Sequence, residues 1–320
     1  MSDFYINFKE DKQVWDVFVS NSPQRSIFIY SKFLDSLSAN YDLVTCYEKD
    51  KIVAGVIVIY SEMGKPVIST FPFTQYQGML LADNTQKATH SQITHEFKVV
   101  EYFIKQLTDW HSNFSFCHSW RLRDLRPFQW HNYHEPEKGQ FKIDLRYTGI
   151  LDLQHYNSFE AYLSSVRTVR KQEFKKSSQI LRFQLSEDVL LLDTLHAKTF
   201  EHQNIERSDK DSMLVKSICK NAIVGEYGKL AVAYLDDNPV SAILFLYDDR
   251  TAYYLFGAND PAYRNTSAGA FLLIQMTKDA FDNGLKEIDF VGANSPQRAD
   301  FKISFNAELR PYFITSIGTI

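Results

Sequence analysis

Between Val240 and Ala307 the spacing of apolar residues changes character several times, and each change predicts an element. Val240–Tyr247 and Ala252–Ala258 are apolar runs separated by the polar triplet Asp248–Arg250, the pattern of two strands joined by a tight turn. From Ala268 to Asn283 the period becomes helical. Ala270, Ile274, Thr277 and Phe281 fall on one side, Leu273 and Ala280 adjoin them, and Asn283-Gly284 supplies the stop. Glu287–Gly292 then predicts a third strand. It should run parallel to Ala252–Ala258, because a helical crossover joins the two.

The same pattern occurs earlier in the chain. Tyr47–Tyr60 can be laid on Tyr234–Tyr247 without a gap, each a strand end, a polar turn and an apolar strand closing on Tyr. After the first copy come a strand at 66–71, a long loop at 72–93, a helix at 94–111 and a strand at 114–120, the order predicted again in the second half. Two copies of one α/β unit follow, residues 1–150 and 151–320. Between the copies, residues 159–178 predict a helix in which Arg167, Arg170, Lys171 and Lys175 share a face. That face is either a solvated basic stripe or a contact for acceptor phosphates. The next helix, 189–203, ends in Glu201-His202, which could face an acceptor, and a polar loop follows at 204–212.

The loop at 259–267 is the chemically informative stretch. Arg264-Asn265-Thr266-Ser267-Ala268-Gly269 puts an arginine and small residues where a strand hands over to a helix. The first amides of a helix lack internal partners and carry the positive end of its dipole, so such a junction can accept a phosphate. An ordinary helix cap also favours these residues. In the first copy the corresponding loop has no Arg-x-x-Ser/Gly-x-Gly turn, and it reads as a wall or scaffold.

Composition narrows the setting. The chain has 320 residues, 44% hydrophobic and 15% aromatic, enough for two cores. A net charge of −4 argues against a protein dominated by nucleic-acid binding. The longest apolar run is too short to cross a bilayer, and no signal peptide is visible, so the expectation is a cytoplasmic protein with no membrane partner. Cys46, Cys117 and Cys219 lack metal or disulfide spacing, and Cys117-His118 with His131 and His134 fits no zinc pattern, so no metal is expected.

The loop 264–269 resembles the pyrophosphate loop of the GNAT acyltransferase superfamily, Gln/Arg-x-x-Gly-x-Gly/Ala. Arg264 and Gly269 match its ends, and Ser267 stands where the middle glycine usually is. Phe301-Lys302-Ile303-Ser304-Phe305-Asn306 resembles the Phe-Lys-x-x-Phe-Gly signature of Fem-type transferases, a tandem-GNAT family, with Asn306 in place of Gly. Tyr254-Leu255-Phe256-Gly257 resembles their strand ending in Gly, and the basic segment at 166–176 their inter-domain segment.

The resemblance implies two tandem GNAT-like domains of mixed α/β class, coenzyme A in the second copy and an acceptor in the cleft between copies. It implies that the parallel strands splay and that pantetheine adds to the edge at Phe256, Gly257 and Ala258. Arg264, Asn265, Thr266, Ser267, Ala268 and Gly269 would hold the diphosphate. Lys302 would stabilise charge at the reacting centre, and Arg167, Arg170 and Glu201 would meet the acceptor. Asp289 is either a hydrogen-bonded structural carboxylate or the base. Tyr254 is a core aromatic or a proton donor to the leaving thiolate, and His202 a bystander or a proton acceptor.

In layout the chain is similar to tandem-GNAT N-acyltransferases of nucleotide-linked amino sugars. The implied reaction takes a short acyl-CoA such as 3-hydroxybutanoyl-CoA to a dTDP-linked 3-amino-3,6-dideoxyhexose. The alternatives are Fem-type aminoacyl-tRNA-dependent transfer to a peptidoglycan precursor, and an acyl-CoA-binding module without catalysis.

Overall fold

The computed structural model describes residues 4–61, 63–66, 71–84, 88–202 and 204–318. The chain divides into two units, Met1–Arg146 with Pro311–Ile320, and Tyr147–Arg310. The last ten residues therefore belong with the first unit and not with the second half, a correction to a single cut near residue 150.

The first unit holds β1 (Phe4–Asn7), α1 (Lys12–Asn21), the short α2 (Ser31–Leu34), β2 (Tyr41–Glu48), β3 (Lys51–Ile59), β4 (Leu80–Leu81), α3 (Thr89–Trp110), β5 (Phe114–Cys117) and α4 (Arg126–Gln129). β6 (Lys142–Asp152) starts here and continues into the second unit from Tyr147. β1 to β4 form an antiparallel sheet in that order. The apolar stripe of α3, Val99, Val100, Phe103, Ile104 and Leu107, packs on Val44, Val56 and Val58. Buried Trp15 donates from Nε1 to the Ile29 carbonyl at 2.7 Å. It lies so close to β3 that a Cβ on Gly55 would sit 2.7 Å from its ring, which accounts for a glycine inside a strand.

The strand expected at 66–71 falls mostly outside the described residues. The strand that leads to the helix is β4, inside the stretch expected to be a plain loop, and α3 begins five residues earlier than its periodicity implies. His118 lies in the core of the first unit. Fully buried, it takes the Met79 N–H on Nδ1 at 3.2 Å and lies 2.8 Å from the Thr315 hydroxyl on Nε2. Burial pushes its pKa down to about 3, so it is neutral.

In the second unit, α5 (Phe159–Ser165) and α6 (Thr168–Ser177) replace the single helix expected at 159–178. Val166 and Arg167 are extended, and the Arg167 N–H is drawn off to the Ser304 carbonyl at 3.0 Å. Arg167 is thus the N-cap of α6 and leaves the basic face. β7 (Leu181–Ser186), α7 (Val189–His202), α8 (Asp209–Val224), β8 (Gly228–Leu235), β9 (Asn238–Tyr247) and β10 (Thr251–Asn259) follow. The polar loop at 204–212 already contains the start of α8, fixed by a capping box between Ser208 and Asp211. A 3₁₀ turn (Pro261–Thr266), α9 (Ala268–Asp282), β11 (Glu287–Asp289), α10 (Pro296–Ile303) and β12 (Glu308–Ile317) complete the order. From Pro311 onward β12 belongs to the first unit, where Ile314–Ile317 pair with β5.

The strands of the second unit run β7-β8-β9-β10-β11-β6 within their sheet, antiparallel except for β10 and β11. α9 buries Ala270, Phe271, Leu272, Leu273, Ile274, Met276, Thr277 and Ala280, nearly its whole circumference, while Phe281 is only partly covered. A helix apolar on most sides is a core helix, and this one fixes where its N-terminus points.

Candidate active site

β10 and β11 share three register pairs, Thr251 with Glu287, Ala252 with Ile288 and Tyr253 with Asp289. β11 then ends, and β10 runs on for six residues. On its other side β10 carries a bulge against β9 between Tyr254 and Phe256, which adds twist and re-aims one residue's main chain. From Tyr254 to Asn259 the edge of β10 toward β11 is therefore not zipped, as the family resemblance implies. Gly257 sits at this edge, and a Cβ there would lie 1.8 Å from the Tyr254 hydroxyl. The Phe256 side chain is buried, its ring 5.7 Å from that of His196, so Phe256 offers only main chain to the edge.

The strand reaches α9 through a tightly held turn. Asp260 accepts the Ala262 N–H at 3.0 Å and the Lys198 ammonium at 2.6 Å. The lysine holds its carboxyl below the usual carboxylate range. Ser267 then adopts φ 55°, ψ 31°, the left-handed region that favours glycine, without a side-chain cap bond. The position of the usual middle glycine thus keeps a glycine-like conformation while carrying serine.

Ala268, Gly269 and Ala270, the first residues of α9, line a cavity of about 300 Å³ with Arg170, Glu173, His202, Asn259, Arg264 and Phe301. Gly269 faces the Asn259 side chain, and a Cβ would lie 2.9 Å from its Oδ1. Arg264 is exposed at the rim. Arg170 is held more firmly. It donates to the Ser304 hydroxyl at 2.8 Å, pairs with Glu173, and lies 4.8 Å over the Phe301 ring. The two carboxylates of the cavity, Glu173 and Asp260, are each paired with a cation, which leaves room for an anion at the helix end.

Other expected residues lie outside the cavity. Arg167 is engaged by Asp300 through two bonds of 2.9 Å, and Glu201 is exposed outside the cavity. Asn265 is exposed and outside the lining. Thr266 is buried and donates to the Tyr263 carbonyl at 2.7 Å, while its own carbonyl accepts from Ser177. These two support the turn. Asp289 is 1% exposed and accepts the Thr148 hydroxyl at 2.5 Å and the Val291 N–H at 2.8 Å.

That last contact belongs to a second strained turn. Val291 and Gly292 have φ of 49° and 64°, and a β-branched residue in that region is a true outlier. The turn is why the third strand stops at Asp289. The Lys302 ammonium clamps it from α10, donating to the carbonyls of Val291 and of Gly292, the latter at 2.8 Å. Lys302 also lies 5.8 Å over the Tyr254 ring. Burial pushes its pKa down to about 8, against the pull of Asp289, and Arg298 adds to the lowering. Tyr254 stacks on Phe245, and burial pushes its phenol up to about 12, so it keeps its proton at neutral pH. Spacing alone missed α10, although Gly292-Ala293-Asn294-Ser295-Pro296 has the composition of a turn followed by a helix start with Pro at N1.

The acetyltransferase (GNAT) domain model matches residues 164–302, less than half of the chain but most of the second unit. No match to the sequence was found among curated proteins. Solved structures with a similar fold include FemX, with TM-score 0.70 and 11% identity over 97% of this chain and 96% of that one. A tandem GNAT protein from the clavulanic acid biosynthesis pathway aligns with TM-score 0.52 and 8% identity, covering 99% and 98%. L-PGS from Bacillus licheniformis aligns with TM-score 0.52 and 9% identity, covering 97% and 92%. The second unit carries a GNAT acetyltransferase domain, and the protein is an acyltransferase.

Proposed function

We propose that the protein is an N-acyltransferase that takes its acyl group from a CoA thioester bound by the second unit. The observation that carries this reading is the junction at the start of α9. The left-handed Ser267 brings the first amides of a core helix to a cavity flanked by Arg264 and Arg170, beside a strand edge opened after Tyr253. A diphosphate suits the helix end, and an extended amide-bearing arm suits the strand edge.

The acceptor amine, once free of its ammonium proton, adds to the thioester carbonyl. The tetrahedral oxyanion collapses, the C–S bond breaks, and the amine's second proton passes to water. The thiolate leaves with a proton from the Tyr254 phenol, which recovers it from solvent. Lys302 holds the turn at Val291 and Gly292 and sets a positive charge over the Tyr254 ring, where it favours the anions that develop. His202 lies in the anion cavity and is assigned to a phosphate, with no part in proton uptake. Asp289 holds the same turn as Lys302 and is assigned a positioning role.

The acceptor class rests on the sequence resemblance: the amino group of a nucleotide-linked, dTDP-type 3-amino-3,6-dideoxyhexose, with 3-hydroxybutanoyl-CoA as donor. Free-thiol release from a panel of acyl-CoAs and amino sugars tests it. Release that depends on both substrates, with a donor KM raised about tenfold by Arg264→Ala, is expected for loss of one charge-assisted phosphate contact. CoA that raises Tm without any acceptor-dependent thiol release would leave a binding module. The similarity to FemX over nearly the whole chain favours a second reading, Fem-type transfer from aminoacyl-tRNA to a peptidoglycan precursor. Under it, aminoacyl-tRNA and not CoA raises Tm.

A further inference from the structure

We infer that the first unit carries a second ligand site, for a nucleoside diphosphate, in the cavity beside the N-terminal half of α3. This goes beyond acyl transfer and does not depend on it. The cavity measures about 870 Å³, almost three times the volume of the one at α9. It occupies the matching place in the chain order, where the strand before the helix, the helix start and the segment after the next strand meet, but its chemistry differs.

The floor is apolar, with buried Leu81, Val100 and Leu122, and Phe97 and Trp120 add aromatic surface. Three guanidinium groups, Arg121, Arg123 and Arg126, come from one short segment after β5. Two of them are held by rings. Arg121 lies 4.0 Å from the centroid of Trp120, and Arg126 lies 5.5 Å from those of Phe97 and Trp130. Asp124 grips Arg126 through two bonds, 2.9 and 2.6 Å, which fixes its plane, while Arg123 is exposed. The carboxylates in the lining are Asp124, spent on Arg126, and Glu96, which accepts from Gln92 at 2.8 Å, so the cavity keeps a positive excess. Arginines held against aromatic rings meet phosphate with little further loss of freedom, and a heterocycle can add to such an aromatic wall. An apolar slot edged by guanidinium groups therefore fits a nucleoside diphosphate better than either a plain hydrocarbon or a bare anion.

Isothermal titration of the full chain with dTDP, ADP and pyrophosphate tests this. The expected result is one nucleotide site per chain whose Kd is unchanged by Arg264→Ala. The Arg121→Gln/Arg123→Gln double variant raises that Kd tenfold or more, while its Tm and circular dichroism stay those of the parent. Pyrophosphate, lacking a ring, binds at least tenfold more weakly, and the nucleotides alone change tryptophan fluorescence. Preference for dTDP identifies the nucleotide of a sugar substrate as the source, and equal affinity for ADP identifies a site that reads ring and diphosphate without choosing the base. Nucleotide binding that is lost in Arg264→Ala and indifferent to the double variant overturns the site, as does no nucleotide binding at all. Thiol release plays no part in these readouts, so the acyl-transfer reading stands or falls separately.

Discussion

The two halves of this chain build the same hairpin and then part at the next junction. β2–β3 and β8–β9 each shift register at the same place, after Cys46 and after Ala233, and each turns through a left-handed residue, Lys49 at φ 55° and Asp236 at φ 54°. Among the described residues the strand that follows has two residues in the first unit, β4, and nine with a bulge in the second, β10. The helices then begin differently. Ala88 before α3 is extended, φ −57° and ψ 141°, whereas Ser267 before α9 is left-handed. In the second unit the turn delivers main-chain amides to a small cavity. In the first, a wider cavity draws its positive charge from arginine side chains. The same hairpin thus leads into two differently built junctions, and the loop conformation decides which groups face each cavity.

The largest effect should come from the clamp that has no equal among the described residues of the first unit. Lys302→Ala removes the ammonium that spans the carbonyls of Val291 and Gly292. Turnover is expected to fall a hundredfold or more, in line with the loss of a preorganised charge, about 3 kcal/mol or above. Circular dichroism should be unchanged, and parental turnover would remove Lys302 from the mechanism.

The same side chain gives a pH test. Its pKa of about 8 in the folded protein lies below the ordinary lysine value of 10.5. Between those values the unfolded chain binds more protons than the folded one, so stability rises with pH across that window. Denaturant titrations from pH 8 to 10.5 should show wild type gaining stability relative to Lys302→Met. Parallel curves would mean that the lysine is not held as described.

The smallest effect is the sharpest comparison. Ser267→Gly relieves a left-handed serine and should leave stability unchanged or raise it by up to about 1 kcal/mol, with donor affinity kept. Ala88→Gly makes the same kind of change where the backbone is extended. It should lower stability by roughly 0.5 kcal/mol, through added freedom of the unfolded chain. Chemical denaturation of both variants decides it, and equal signs would mean that the two junctions are not as different as their dihedral angles.

Much of this was legible from local pattern. The hairpins, α9 with its stop at Gly284, the parallel crossover and the loop carrying Arg264 all follow from apolar period and turn residues, because those signals act over a few neighbours. The position of Lys302 within a recognisable motif was legible too, though its partners were not. Residues 159–178 read as one helix, yet the Ser304 carbonyl, over a hundred residues later, takes the Arg167 amide and breaks it.

What the chain's order of residues determined by itself is the set of elements and the junction able to meet an anion, since propensity and capping are properties of short segments. Only the tertiary structure decided which candidates share a cavity. Asp289 was turned to holding Val291, Arg167 to Asp300 and Thr266 to its own turn, while Glu173, Asn259 and Phe301 were brought to the α9 end. Those assignments depend on contacts between distant segments, and a buried polar group takes whichever partner the packing supplies.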